Sequence, residues 1–189
     1  MYKLLVLFVG LSAGLAGCMS SQCWNCPAGT ATITGLNYDT KKDQTVLTLL
    51  PYGGITFPHK WEQVGYDEGA KARILYSDST RLHASLIPFQ EYKEVYQKGR
   101  TDQEHLAAFT TWETEFWRNK QHVTVDILQD SSATKGYILG RAYDATDKSV
   151  DAIFLFGTRR GLLYNFRGTS SKWTQEELEV FLKGLFVRN

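Results

Sequence analysis

Apolar and polar residues alternate along most of this chain, mainly with the two-residue period of a β-strand. Clusters of Asn, Asp, Gly, Ser and Thr separate the alternating stretches and predict turns between them. The predicted strands cover residues 31–36, 44–50, 55–58, 71–77, 81–89, 123–129, 136–144, 150–157 and 162–167. Because these strands do not alternate with long crossover helices, the pattern favours an antiparallel sheet.

Two of the predicted strands differ in how many faces should be covered. The run 152–156 is apolar at both parities, which a strand tolerates only when both faces of its sheet are covered. The run 162–167 carries Asn165 and Arg167 in its second row, so we expect that face to be partly exposed to water. The sheet therefore needs packing layers on both sides of the strand that contains 152–156.

A helix is predicted to begin after Thr101, because its hydroxyl and the carboxylate of Glu104 form a capping box. The residues near one face of this helix, which we expect in the core, are Leu106, Phe109, Trp112 and Phe116. Glu113 is expected to point away from that core. A weaker helix is predicted before it at 90–98, closed by Gly99.

The last helix has the clearest signals in the chain. Thr174 and Glu177 form a second capping box, and Trp173 and Leu178 occupy the positions of a hydrophobic staple. Its apolar stripe consists of Leu178, Phe181, Leu182, Leu185 and Phe186. Together these elements predict an α+β fold in which helices cover both faces of an antiparallel sheet.

Length and charge limit the class of partner. The 189 residues contain 21 Lys and Arg against 20 Asp and Glu, so no basic surface for nucleic acid is expected. We predict one domain at residues 31–189, since a chain of this size can bury a core of its own.

The N-terminus has the pattern of a bacterial lipoprotein signal. Lys3 precedes an apolar run of about a dozen residues, shorter than the ~20 that cross a bilayer. The run ends in Leu15-Ala16-Gly17-Cys18, which resembles a lipobox. We predict a signal peptide at 1–17, acylation of Cys18 and a tether at 18–30. The alternative is an ordinary secretory signal that is cleaved at another position.

Two further cysteines, Cys23 and Cys26, lie in the tether. A small structural disulfide between them is the favoured interpretation in an oxidising compartment. Free thiols and a catalytic redox pair are the alternatives. A haem site would need His at position 27 and a zinc site two more ligands at similar spacing, and neither is present.

No motif in the sequence brings together a nucleophile, a base and an orienting group, and no phosphate-binding loop occurs. Metal ligands could come from His122 with Asp126, or from Asp144, Asp147 and Asp151. However, strand positions i and i+4 lie ~13 Å apart, and Asp in turns usually caps backbone amides. Structural or solvated roles are favoured, and we predict no catalytic residue, no metal ligand and no cofactor.

Several stretches resemble the PsbP-like family. The similar segments are 57–61, the hairpin at 77–80, the mid-chain helix, 136–138 leading into 152–156, and 181–186. The resemblance covers about residues 55–189. It implies an α/β/α sandwich and a role as a non-catalytic binding or assembly factor.

We therefore expect a lipid-anchored protein on the periplasmic side of a bacterial envelope, held by acyl chains on Cys18 and bound to an envelope protein. Met19 rather than Asp follows Cys18, which favours the outer membrane in enteric-type bacteria. The alternative function is a cation-dependent or thiol-redox enzyme that uses Asp144, Asp147 and Asp151 or the two tether cysteines.

Overall fold

A computed structural model describes residues 33–147 and 150–189. In these ranges the strands are β1 (Ile33–Asp39), β2 (Gln44–Leu50), β3 (Gly53–Pro58), β4 (Glu62–Asp67), β5 (Ala72–Ser77), β6 (Thr80–Pro88), β7 (Thr124–Ser131), β8 (Tyr137–Tyr143), β9 (Asp151–Arg159) and β10 (Leu162–Ser170). The α-helices are α1 (Asp102–Phe116), α2 (Ser132–Lys135) and α3 (Gln175–Arg188), and a π-helix at Trp117–Gln121 directly follows α1. None of the helices in these ranges is long and apolar enough to cross a bilayer.

The strands form two antiparallel sheets. The larger has the order β4-β5-β6-β10-β9-β8-β7, and the smaller has the order β1-β2-β3. The turn between β9 and β10 consists of Arg160 and Gly161, both with positive φ, which is the turn geometry that matches strand twist in a tight hairpin. The predicted α+β fold with an antiparallel sheet is confirmed.

Packing layers cover both faces of the large sheet. Helix α3 and the small sheet lie on one face, and α1 lies on the other. Strand β9 shows why both are needed, because Ile153 and Leu155 are buried on the α3 side while Phe154 and Phe156 are buried on the α1 side. The prediction of a strand covered on both faces is confirmed.

Both predicted capping boxes are present. Thr101 with Glu104 caps α1, and Thr174 with Glu177 caps α3. In α3, the buried residues are Leu178, Leu182, Leu185 and Phe186. Phe181 is only partly buried, so this position of the stripe reaches the surface.

The predicted helix at 90–98 is wrong. Only a single 3-10 turn occurs there, at Phe89–Glu91. The segment is instead shaped by tertiary contacts, because the buried ring of Tyr92 packs edge-on against Phe109 of α1 at 4.8 Å. Packing of this kind overrides a weak helical propensity.

The buried face of α1 also differs from the prediction. Phe116 is 46% exposed, whereas Glu113 and Trp117, placed one turn apart, are buried. The second face of β10 is partly exposed as predicted at Arg167, whose side chain is 23% exposed and pairs with Asp67, but Asn165 is only 4% exposed. A charged layer therefore lies between α1 and the sheet.

Strand β4 was not predicted from the sequence. It is an edge strand with a bulge between Gln63 and Gly65, and most of its residues are exposed. Its sequence consequently lacks the apolar alternation that marks the inner strands.

Candidate functional site

A groove with an aromatic floor opens between α3 and the connection from β3 to β4. We call it the aromatic groove, and its floor is formed by Trp61, Trp173 and Phe181. The rings of Trp61 and Phe181 stack at 5.7 Å with an interplanar angle of 20°. Trp173 meets Phe181 edge-on at 5.0 Å. The groove has a volume of 990 Å³, large enough for several side chains of a ligand.

Hydrogen bonds hold the Trp61 side of this floor in place. The indole Nε1 of Trp61 donates to the carbonyl of Pro58 at 2.9 Å, and its backbone N–H donates to Oγ1 of Thr45 at 2.9 Å. Thr45 in turn donates to the carbonyl of His59 at 2.8 Å. This network fixes the chain around His59, which has a φ of 61° in the left-handed region.

The Trp173 side is fixed by the start of α3. The backbone N–H of Trp173 donates to Oγ of Ser170 at 3.0 Å, and the capping box follows at Thr174. Phe181 lies two turns into the helix and projects between the two tryptophans. The floor is therefore built on rigid elements.

The rim of the aromatic groove is rich in carboxylates. Asp78, Glu176 and Glu177 line it, and Lys172 forms an ion pair with Asp78. Val180, which is 67% exposed, extends the apolar surface outward from the floor. The groove thus combines apolar contact area with an excess of negative charge.

A second polar site lies on the other face of the large sheet, beneath α1. We call it the charged cluster, and it consists of Asp67, His83, Glu113 and Arg167. Arg167 donates from Nη2 to Nδ1 of His83 at 2.9 Å and to Oδ2 of Asp67 at 3.3 Å. The face of the Trp117 ring lies 5.7 Å from the guanidinium. The sequence pattern predicted only that Arg167 lies on a partly exposed face, and it did not predict these contacts.

The protonation of His83 follows from its partner. A guanidinium can only donate, so Nδ1 of His83 must be an acceptor and the imidazole is neutral, with its proton on Nε2. Burial, and then the charge of Arg167, lower the pKa of His83 to about 4. Nδ1 also lies 3.3 Å from Asp67, but this contact is no hydrogen bond because both atoms are acceptors.

Glu113 completes the charged cluster from the helix side. Burial raises its pKa to about 7, while the charge of Arg167 and a hydrogen bond with Trp117 act in the opposite direction. No local pattern indicates this role, because Glu113 falls beside an aromatic stripe on a face that is expected to be solvated.

The acids considered for metal binding make other contacts. Asp144 accepts from the backbone N–H groups of Thr146 and Asp147 at 2.7 and 3.1 Å. Asp151 accepts two hydrogen bonds of 2.8 Å from Arg141. His122 ends the turn after α1 with a φ of 56°, and Asp126 lies in β7. In the described part of the chain, no three His, Cys, Asp or Glu residues form a group that could hold a metal.

Several predicted features lie outside the described residues. They are the signal peptide at 1–17, the lipidation site Cys18, the tether at 18–30 and the pair Cys23 and Cys26. They stay predictions from the sequence.

Neither a protein-family model nor a curated protein matches this chain. Among solved structures it is similar to cyanobacterial PsbP (CyanoP) from Synechocystis sp. PCC 6803, with 13% sequence identity and a TM-score of 0.42. That match covers 86% of this chain and 92% of the cyanobacterial one. Membership of the PsbP-like family stays a prediction, and the α+β class rests on the strand pairing described above.

Proposed function

We propose that this protein is a lipid-anchored envelope protein whose aromatic groove binds an apolar, basic segment of another envelope protein without catalysing a reaction. The observation that carries the proposal is a groove lined by Trp61, Trp173 and Phe181 beneath an acidic rim, in which Trp173 and Phe181 are partly exposed and Trp61 is 4% exposed. The anchor and the envelope location come from the lipobox at Cys18.

The shape of the aromatic groove supports a protein segment as its occupant. Aromatic side chains supply most of the binding energy in many protein interfaces, because they offer large contact area at a low cost in side-chain entropy. Val180 continues the apolar surface beyond the floor and is 67% exposed. An extended or helical segment with one or two large apolar side chains would cover both.

The charge of the rim supports a basic segment. Asp78, Glu176 and Glu177 surround the floor, and Lys172 pairs with the first of them. An acidic rim raises the association rate of a positively charged partner and disfavours an acidic one. Lys or Arg residues should therefore flank the apolar anchors of the partner.

Acylation of Cys18 would keep this groove near a membrane. A diacylglycerol and an N-acyl chain together exceed the two-signal requirement for stable attachment. The tether at 18–30, if extended at ~3.3 Å per residue, gives the domain a reach of a few tens of ångströms. Such a reach suits a partner in the same membrane or close beneath it, and Met19 favours the outer membrane.

A photocrosslinking amino acid placed at position 180 tests the proposal in native membranes. Position 187 is the matched control, because Val180 and Val187 are both 67% exposed on α3 but only Val180 lines the groove. We expect position 180 to crosslink one envelope protein through a segment that combines apolar residues with Lys or Arg. A synthetic peptide of that segment should bind the purified protein.

The same crosslink should survive the double change Cys23→Ser/Cys26→Ser, because the groove does not involve either thiol. An acidic crosslinked segment, or equal crosslinking from positions 180 and 187, would contradict the proposal. Loss of the partner in the double variant together with loss of a redox activity would favour the thiol enzyme instead.

A further inference from the structure

A separate cavity of 400 Å³ lies on the α1 side of the large sheet, away from the aromatic groove. We call it the basic cavity. Its polar wall includes Arg81 and His83 from β6 and Arg167 and Thr169 from β10. The pairing of these strands sets Arg167 opposite His83 and Thr169 opposite Arg81, so the four residues form a square on one face of the sheet.

The two arginines of this square differ in their contacts and in their exposure. Arg167 is held by His83 and Asp67, and within the described residues both of its hydrogen bonds leave from Nη2. Arg81 is exposed at the mouth of the cavity. Its charge acts on both His83 and Arg167, which places it within electrostatic range of the cavity interior.

Among the residues that the structure describes, the other charged groups around the basic cavity are largely compensated. Asp67 pairs with Arg167, and Asp151 in the cavity wall is held by the guanidinium of Arg141. Glu113 is buried near Arg167, and burial favours its neutral form. The charge of Arg81 remains, so the cavity favours a ligand with one negative charge.

The remaining wall of the basic cavity is apolar. Trp117, Val123, Ala142 and Ala152 are buried and line it. A volume of 400 Å³ lies within the range of small-molecule sites, in which apolar walls carry contact and a few polar groups fix orientation. Inorganic phosphate could bind the arginines, but it has no apolar part to contact the rest of the wall.

We propose that the basic cavity binds a small organic acid, with its carboxylate between Arg81 and Arg167 and its apolar body against Trp117. Planar guanidinium groups match carboxylate geometry and can donate two parallel hydrogen bonds to it. This proposal does not depend on the function of the aromatic groove, because the two sites lie on different faces of the sheet.

Isothermal titration of the purified full-length protein with naphthoate tests the proposal. Naphthamide is the matched neutral compound, and inorganic phosphate probes the charge without the apolar body. We expect naphthoate to bind about tenfold or more tightly than either compound, which is the usual size of one charge-assisted hydrogen bond. Binding should also shift the indole N–H resonance of Trp117.

Variants of Arg81 locate the site, because this side chain is exposed and its replacement should leave the fold intact. Arg81→Gln should weaken naphthoate binding about tenfold, and Arg81→Lys should restore part of the loss by returning the charge. Arg188→Gln removes an exposed arginine that does not line the cavity and should have no effect.

Any one of the following results would overturn the proposal. They are equal affinity for naphthoate and naphthamide, phosphate binding as tight as naphthoate binding, and an equal loss in Arg81→Gln and Arg188→Gln. Failure of naphthoate to bind at millimolar concentration would overturn it as well.

Discussion

Arg167 donates a hydrogen bond of 2.9 Å to Nδ1 of His83 across the β6–β10 pair. The bond requires a neutral imidazole, so the charged cluster contains a histidine that resists protonation beside a glutamate that resists ionisation. Because one of these groups has a lowered pKa and the other a raised pKa, their effects on stability have opposite signs.

The first prediction concerns the pH dependence of the free energy of unfolding. Since the pKa of Glu113 is raised from 4.5 to about 7, its contribution to stability is lost as the pH rises through that range. Since the pKa of His83 is lowered from 6.5 to about 4, its contribution is lost as the pH falls through that range. The two slopes oppose each other between pH 4.5 and 6.5.

Urea unfolding of Glu113→Gln checks this balance. The variant keeps the His83 slope alone, so relative to wild type its stability should rise with pH by about 1 kcal/mol per pH unit in this window. His83→Gln should show the reverse slope. Parallel pH profiles for wild type and both variants would show that neither group has the assigned pKa.

The second prediction compares two glycines. A Cβ at Gly140 would lie 2.7 Å from the backbone oxygen of Asp126 and would also collide with the ring of Phe154. Gly140→Ala should therefore destabilise the protein by about 2 kcal/mol or more. Gly184 is an exposed helical position in α3 with open space around it, so Gly184→Ala should stabilise by about 0.5 to 1 kcal/mol.

Thermal and urea unfolding of the two glycine variants measure these effects directly. A stabilising Gly140→Ala, or a Gly184→Ala variant less stable than wild type, would contradict the packing around β8 and α3.

The third prediction tests how α3 packs on the sheet. Leu182 is fully buried, so Leu182→Ala should lower the free energy of unfolding by about 2 to 5 kcal/mol. Val187 lies on the same helix but is 67% exposed, and Val187→Ala should change stability by less than about 0.5 kcal/mol. Similar losses of unfolding free energy in the two variants would contradict the description of which face of α3 packs against the sheet.

The fourth prediction concerns the anchor. Cys18→Ser removes the only thiol in the lipobox, so the protein should become water-soluble or stay unprocessed. Triton partitioning followed by immunoblotting checks this, with Cys23→Ser as the control that keeps the acylation site. A Cys18→Ser protein that still enters the detergent phase would refute lipidation at this residue.

Local signals in the sequence predicted the fold well where they were strong. The capping boxes at Thr101 and Thr174 correctly located the starts of α1 and α3, because a cap needs only residues close together in the chain. The two-sided apolar run 152–156 likewise identified a strand that is covered on both faces. Strand β4 lacked such a signal, since an exposed edge strand buries few residues.

The candidate sites were harder to predict because they depend on long-range pairing. Trp173 was expected in a staple, and only the tertiary fold shows that it lines a groove with Trp61 and Phe181. Glu113 and Arg167 are 54 positions apart, and each falls in a row that looks solvated. Glu113 is buried because α1 packs against β9, and no local pattern reveals this packing or the nearness of Arg167.

Peptide selection on the purified protein tests the central claim of a binding groove most directly. Peptides selected from a random library should combine a large apolar anchor with Lys or Arg. Their affinity, measured by fluorescence anisotropy, should fall at least tenfold for Val180→Lys and stay unchanged for Val187→Lys, because only Val180 lines the groove. Equal affinity of the selected peptides for both variants, or selection of acidic peptides, would contradict the claim.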